Sequence, residues 1–205
     1  EPSPRLTKGD LTKELERQWA EMVGTKYSVF VNSGSSAILL SLVSLTEIMG
    51  YKPRVVCPAL SWATDVSIPL ILSCDVILCD CNPLDLSCDL DMLEKIFEEE
   101  NPDVFISVSP LGLVPDMTRI VDLCCRFGVV LIEDNCESMG SKYDGQMLGS
   151  FGDVSLFSTY YGHHLSTIEG GFINTNDEPL YNLLLSQRSH GWSRDLDKEK
   201  QKELQ

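Results

Sequence analysis

The stretch DVFISVSPLGLVPDMTRIVDLCCRFGVVLIED, residues 103–134, decides the fold class. It begins with a short apolar, β-rich run, DVFISVSP (103–110). A helical segment that closes with glycine follows, DMTRIVDLCCRFG (116–128), and then a second apolar run that ends in two acids, VVLIED (129–134). A strand, a helix of ten or more residues and another strand in this order are typical of a βαβ unit with parallel strands.

The same alternation extends in both directions along the chain. It predicts further helices and strands, the helices over 10–23, 37–50, 62–72, 90–100 and 179–191 and the strands over 27–34, 54–59 and 75–81. These elements favour an α/β fold with a mostly parallel sheet, in which ligands gather at the carboxyl ends of the strands. The charged segment 195–205 predicts a solvated helix or a frayed end.

Composition excludes several classes of function. The chain has 205 residues, 43% of them hydrophobic, and a formal net charge of −15, which argues against a nucleic-acid-binding protein because phosphate neutralisation needs clustered Lys and Arg. No apolar stretch approaches the ~18 residues of a transmembrane helix. The polar first residues do not resemble a signal peptide. We therefore expect a cytoplasmic protein without nucleic-acid or membrane partners.

The eight cysteines predict reduced thiols, because their spacing is irregular and no secretory signal precedes them. A metal site at Cys79, Cys81 and Cys88 is the alternative. Paired CxxC repeats are missing, so we predict no metal site.

The motif NSGSSA (32–37) lies between a predicted strand and a predicted helix. The backbone amides of Gly34, Ser35 and Ser36 would then point from a helix N-terminus, which favours an anion. An ordinary serine N-cap explains the same residues equally well. The motif lacks the Walker lysine and the full dinucleotide glycine pattern, so ATP and NAD are poorly supported.

Two further residues have open alternatives. Asp134 ends a buried-type strand, where it could pair with a protonated ring nitrogen or cap a following helix. Trp62, after CPALS, could stack on a planar ring or fill the core. By themselves, the helix cap and the core are the favoured alternatives.

The segment FSTYYGHHLSTIEGG (157–171) contains adjacent histidines, His163 and His164. Adjacent residues do not share a face of a helix or a strand, so the pair is poorly suited to bind one metal ion. Only one other histidine, His190, is present. From spacing alone, a structural role and a catalytic role both remain open.

Six blocks in order resemble the DegT/DnrJ/EryC1/StrS group of pyridoxal-phosphate enzymes of fold type I. They are VNSGSSAILLSL, VVCPALSWATDV, DVILCDCNPLDLSCD, VVLIEDNCESMGSKYDGQMLGSFGD, FSTYYGHHLSTIEGG and RSHGWSRD. The resemblance implies that 1–205 forms most of a three-layer, pyridoxal 5'-phosphate-binding large domain. The small C-terminal domain of the family is expected to be absent or to lie outside this chain.

The resemblance also implies the cofactor contacts. The phosphate would lie in a cradle of Gly34, Ser35 and Ser158, the ring would stack on Trp62, and the ring nitrogen would pair with Asp134. Glu137 falls where the aminotransferases usually carry a glutamine near the phenolic oxygen, so its role is open.

One position departs from the aminotransferase pattern. His163 aligns with the Schiff-base lysine of the family, and no lysine occurs between Lys142 and Lys198. Histidine has no primary amine, but it can move a proton near neutral pH. This change resembles the histidine-type sugar 3-dehydratase branch, which works from pyridoxamine 5'-phosphate.

The resemblance to this branch implies the reaction and the partners. The substrate would be a nucleotide-linked 4-keto-6-deoxyhexose, His163 would be the base for loss of the 3-hydroxyl group, and glutamate would be the amino donor. A homodimer is expected. The iron–sulfur type is disfavoured because no cysteine occurs after Cys136. A sugar aminotransferase altered at the lysine and a catalytically silent, cofactor-binding relative are the alternatives.

Overall fold

The computed structural model describes residues 8–196 and residue 201. Six α-helices are present in this part of the chain: α1 (Asp10–Val23), α2 (Gly34–Met49), α3 (Ala63–Ile71), α4 (Leu90–Glu100), α5 (Met117–Phe127) and α6 (Glu178–Arg188). Nine strands accompany them: β1 (Tyr27–Val31), β2 (Arg54–Pro58), β3 (Asp75–Cys79), β4 (Val104–Val108), β5 (Val130–Asp134), β6 (Lys142–Tyr143), β7 (Gln146–Met147), β8 (Val154–Ser158) and β9 (Gly171–Thr175). Two short 3-10 turns, Pro110–Gly112 and Ser193–Asp195, complete the order.

Seven of the strands form one sheet in the order β1-β9-β8-β5-β4-β2-β3. The pairs β2–β3, β2–β4, β4–β5 and β5–β8 are parallel. Strand β9 is antiparallel to both of its neighbours, β1 and β8. The predicted α/β fold with a mostly parallel sheet is therefore confirmed. The sequence prediction missed β8 and β9, and with them the reversal that places β9 between β1 and β8.

Helices cover both faces of the sheet. Successive strand residues point to opposite faces, so apolar residues at successive positions need a helix on each side. Ile106 and Ile132 belong to a core cluster with α2, α3 and α6. Their neighbours Phe105 and Leu131 belong to a cluster with α4 and α5. Helix α1 covers the same side through Trp19, which stacks on Phe172 with ring centroids 3.8 Å apart. The result is a three-layer α/β/α arrangement.

Predicted helix boundaries agree with the structure to within about three residues. Helix α1 spans the predicted range and ends at Gly24, which adopts φ 91°. A glycine favours this left-handed stop because it has no Cβ atom. Helix α2 begins at Gly34, three residues before the predicted start, because Ser33 caps it. Most of the charged segment 195–205 lies outside the described residues.

Across the part of the chain that the structure covers, no helix combines the length and the apolar character needed to cross a bilayer.

Substitution of Phe105 tests the packing of the core between the sheet and α4. Its side chain is fully buried and meets the Phe97 ring edge-on, with centroids 6.0 Å apart. We expect Phe105→Ala to lower the free energy of unfolding by about 3–5 kcal/mol in urea denaturation, because it leaves a cavity. Leu11→Ala, at a side chain that is 89% exposed, is the control and should change stability by less than about 0.5 kcal/mol. Equal losses in the two variants would contradict this packing.

Candidate functional site

The candidate site lies where the β1–α2 turn meets the carboxyl ends of β5 and β8. A Cβ atom added at Gly34 would lie 2.8 Å from the Cys136 Sγ and 3.0 Å from the Ser158 Cβ. Only a glycine therefore fits between these two side chains without a shift. The structure thus brings together Gly34 and Ser158, which lie far apart in the sequence and were predicted to share one site.

The start of α2 has the geometry of an N-cap. The Ser33 side chain accepts a hydrogen bond from the Ser36 amide at 3.0 Å. The N-cap interpretation is thus confirmed, and it does not exclude an anion, since the amides of Gly34 and Ser35 also lie in this first turn. A 16-residue helix carries a partial positive charge at this end, which favours a bound anion.

Asp134 is the last residue of β5, and its side chain is 8% exposed. Its Oδ1 accepts the Cys136 amide at 2.9 Å, which caps a turn. No helix begins there, so the helix-cap alternative is wrong. The Cys136 thiol is held neutral, because burial and the neighbouring Asp134 carboxylate raise its pKa well above the ordinary value.

Asp65 belongs to this site although the sequence prediction missed it. It lies on α3, is 1% exposed, and its carboxyl group faces that of Asp134. Burial, followed by the repulsion and hydrogen bonding of Asp134, raises the pKa of Asp65 far above its ordinary value. The available signal was the one charged residue in the mostly apolar segment ATDVSIPLI.

Trp62 immediately precedes α3 and is 70% exposed. The favoured core alternative for this residue is therefore wrong, and its indole is accessible to a planar ligand. The Trp62 carbonyl accepts the Asp65 amide at 3.0 Å, which places the exposed indole one turn before the buried acid. The first turn of α3 therefore places Trp62 close to Asp65, which in turn interacts with Asp134.

Glu137 has a structural partner. Its Oε2 accepts the Leu111 amide at 2.9 Å, and Leu111 adopts φ 54° inside the turn Pro110–Gly112. The carboxylate therefore holds a strained turn that follows β4. Sequence reasoning left the role of Glu137 open, and a cofactor contact stays a prediction.

His163 lies in the loop 159–170 between β8 and β9. The loop is closed by the Thr159 amide, which donates to the Gly170 carbonyl at 2.9 Å, and by the Thr167 amide, which donates to the Thr159 carbonyl at 2.9 Å. The His163 amide donates to the Tyr160 carbonyl at 3.0 Å, and its half-buried ring meets the Tyr160 ring edge-on. His164 is exposed. The two imidazoles thus differ in burial.

Among the described residues, no group of three or more His, Cys, Asp or Glu side chains is arranged to hold a metal ion. A separate surface cavity of about 390 Å³ lies near the start of β1 and is lined in part by Lys13, Lys26 and Arg188. It is at the opposite end of β1 from Gly34. The site at the strand ends therefore combines a helix N-terminus, a carboxyl pair and an exposed indole, and the loop that carries His163 begins directly after Ser158.

Solved structures share this fold. One is a GDP-4-keto-6-deoxymannose-3-dehydratase mutant with bound GDP-perosamine, with a TM-score of 0.85 and 33% identity over 93% of this chain and 50% of that chain. Another is this dehydratase with a trapped PLP-glutamate geminal diamine, with a TM-score of 0.84 and 33% identity over 93% and 50%. The fold is that of the large domain of pyridoxal-phosphate enzymes of fold type I.

The profile of the DegT/DnrJ/EryC1/StrS aminotransferase family matches residues 1–204, and the chain belongs to this family. The GDP-4-keto-6-deoxy-D-mannose 3-dehydratase of Yersinia pseudotuberculosis is 37% identical over 198 residues, which cover 95% of this chain and 50% of that protein. The chain therefore spans about half the length of the curated relatives it matches.

Glu137→Ala tests the carboxylate that holds the Leu111 turn. We expect a loss of about 1–2 kcal/mol in the free energy of unfolding, because a hydrogen bond to a charged group disappears and leaves the Leu111 amide without this acceptor. Glu137→Gln keeps an oxygen acceptor and should lose less than half as much. If urea denaturation gives equal losses for both variants, the hydrogen bond does not hold the turn.

Proposed function

We propose that this chain forms the cofactor-binding part of a pyridoxamine 5'-phosphate-dependent enzyme that removes the 3-hydroxyl group of a nucleotide-linked 4-keto-6-deoxyhexose. The observation that carries this proposal is His163, an imidazole in the β8–β9 loop where the family's aminotransferases have a lysine. No lysine occurs from 143 to 197 to replace it. An imidazole exchanges protons but forms no covalent bond to an aldehyde cofactor.

The residues at the strand ends fit a pyridoxal- or pyridoxamine-type cofactor. Because Gly34 has no Cβ atom, the first turn of α2 lies directly against Ser158, and Ser35 and Ser158 offer hydroxyl groups beside the N-terminus of α2. We assign these three residues to the phosphate, since a helix N-terminus favours an anion. The exposed indole of Trp62 would stack on the ring, and Asp134 would accept the ring N–H group.

When bound, the cofactor supplies an electron sink for bond cleavage next to the sugar carbonyl. His163 supplies the proton transfers. In its neutral form the imidazole accepts a proton at a ring nitrogen, and in its cationic form it can donate that proton to the departing hydroxyl. Its half-buried ring, held by Tyr160, restricts the orientation of this base.

The substrate and the amino donor are supported by the relatives. GDP-perosamine is bound in one similar structure, and glutamate is joined to PLP in another. We therefore propose a GDP-linked sugar as the substrate and glutamate as the donor that regenerates the amine form. Glu137, partly buried beside the site and fixed by Leu111, would face the phenolic side of the ring.

A second copy of the chain is the proposed partner. Large apolar side chains are exposed around the site, among them Leu60, Trp62, Tyr161 and Ile168. Such a concentration of exposed apolar side chains is typical of an interaction surface. We propose a cytoplasmic homodimer in which this surface is covered, with residues 1–205 as most of the cofactor-binding large domain.

The absence of a covalent tether is tested by absorbance and mass spectrometry. Addition of pyridoxal phosphate and then glutamate should convert the aldehyde absorbance to that of the amine form. Borohydride added before glutamate should leave the mass of the chain unchanged. If the mass of the chain instead increases by one reduced cofactor, a lysine binds the cofactor covalently. That result would favour the alternative of a sugar aminotransferase. Failure to bind the cofactor would overturn the proposed function.

His163→Asn tests the proposed base, and His164→Asn is the matched control. We expect His163→Asn to lower the rate of ammonia release from the GDP-linked 4-keto sugar by at least about 100-fold, because removal of a general base has this magnitude. The affinity for pyridoxamine phosphate should stay within about threefold. His164→Asn should stay within about threefold in both measurements. Equal loss of rate in the two variants would overturn the assignment of His163.

A further inference from the structure

Asp65 is a buried acid to which the proposed reaction assigns no role. Asp65 is 1% exposed, and neither carboxyl oxygen makes a hydrogen bond of ordinary geometry among the described residues. The backbone of Trp62 also acts on this carboxyl group, but it only opposes the rise in the pKa of Asp65. The neighbouring Asp134 carboxyl group acts on Asp65 through both charge and hydrogen bonding. Two ionised carboxylates offer only acceptors, so this contact becomes a hydrogen bond only when one of them carries a proton.

In the part of the chain that the structure describes, no basic side chain acts on the Asp65 carboxyl group. The titratable groups that act on it in the described part of the chain are Asp134 at the end of β5, Cys57 on β2 and Cys136 after β5. The Cys57 thiol donates to the Asp65 backbone carbonyl at 3.1 Å and not to its carboxyl group. Burial raises the pKa of both thiols, so both are neutral at physiological pH. A shared proton is the remaining way to avoid two adjacent buried charges.

We propose that Asp65 is a positioning residue for Asp134: in its neutral form it donates a hydrogen bond to the Asp134 carboxylate and leaves the pair with a single negative charge. This inference rests on the proposed function, in which Asp134 accepts the N–H group of a protonated heteroaromatic ring. The Cys136 amide already binds Asp134 Oδ1. Two donors on different elements thus fix the orientation of one carboxylate, and its one charge matches one ring cation.

The stability of the cofactor-free protein tests the shared proton. An acid whose pKa is raised by folding keeps its proton in the folded state after the unfolded state has released it, near pH 4. Its contribution to stability is therefore complete below about pH 4 and is lost as the pH rises towards the folded-state pKa. Between pH 5 and 8, the unfolding equilibrium constant of the wild type should rise about tenfold per pH unit relative to Asp65→Asn, which carries no titrating proton.

The control for this measurement is Asp144→Asn, at an exposed position in the turn between β6 and β7. It should keep the wild-type pH dependence. If wild type and Asp65→Asn show the same pH dependence in urea denaturation, Asp65 is ionised in the folded protein and the proposal is overturned.

The affinity for pyridoxamine phosphate at pH 7, measured by quenching of tryptophan fluorescence, tests the positioning role. Asp65→Asn retains a donor to Asp134 and should stay within about threefold of the wild-type Kd. Asp65→Ala has no donor and should bind about tenfold or more weakly, the magnitude expected for a hydrogen bond to a charged group.

The following results would contradict the positioning role of Asp65. Equal affinity of Asp65→Ala and wild type would refute the positioning role. If Asp65→Ala does not fold by circular dichroism, a loss of more than tenfold in Asp65→Asn would refute it. If the wild type binds no pyridoxamine phosphate, the proposed function and the positioning role both fail. The pH dependence of unfolding would then still report whether the two acids share a proton.

Discussion

The close approach of two backbone segments at Gly171 is the constraint on which the site depends. A Cβ atom at Gly171 would lie 2.5 Å from the Ser33 carbonyl carbon and 2.8 Å from the Gly34 nitrogen, both of them backbone atoms that cannot move aside cheaply. Strand β9 can therefore lie beside β1 only because its first residue lacks a side chain. This position of β9 returns the chain antiparallel to β8, so that the loop 159–170 must turn back over the strand ends. The same crowding places Gly34 against Ser158, and thus one geometric requirement assembles both the first turn of α2 and the loop that carries His163.

The sequence predicted the parallel half of the sheet because each strand there is followed by a helix with a clear period and a recognisable stop. Strands β8 and β9 were missed for a physical reason: all residues of VSLFS and GFINT are buried, so neither strand shows an alternating pattern, and no helix separates them. Trp62 was misjudged in isolation because a large aromatic side chain is usually buried, whereas its position just before α3 leaves it in solvent. Asp65 was overlooked because its importance arises from a contact with Asp134, 69 positions away, that no local pattern contains.

The net charge of the chain does not determine the local charge at the candidate site. The chain carries a formal net charge of −15, and yet the candidate phosphate site depends on a helix N-terminus and hydroxyl groups and on no basic side chain that we assign. Partial charges of this kind act only over the first helical turn, so they can attract an anion within an acidic protein. In the proposed assignment Asp134 would pair with the ring, whereas Gly34, Ser35 and Ser158 would hold the phosphate. Separation of the two regions allows one ligand to present its anionic and cationic ends to different parts of the same small site.

A cofactor without a covalent bond to the protein is retained only by non-covalent contacts to its phosphate, its ring and its ring nitrogen. A Schiff-base lysine would hold the ring even if the phosphate and nitrogen contacts were weak, whereas an imidazole at position 163 contributes no such bond. The phosphate cradle, the carboxyl pair and the stacking residue must then each be well oriented, since their contributions are all that opposes dissociation. Trp62 is mostly exposed in the single chain, so a stacked ring would remain open to water on that side unless another surface covers it. The exposed apolar residues around it supply a physical reason for a second copy to cover the site. Association of two chains would then retain the cofactor as well as bury apolar surface.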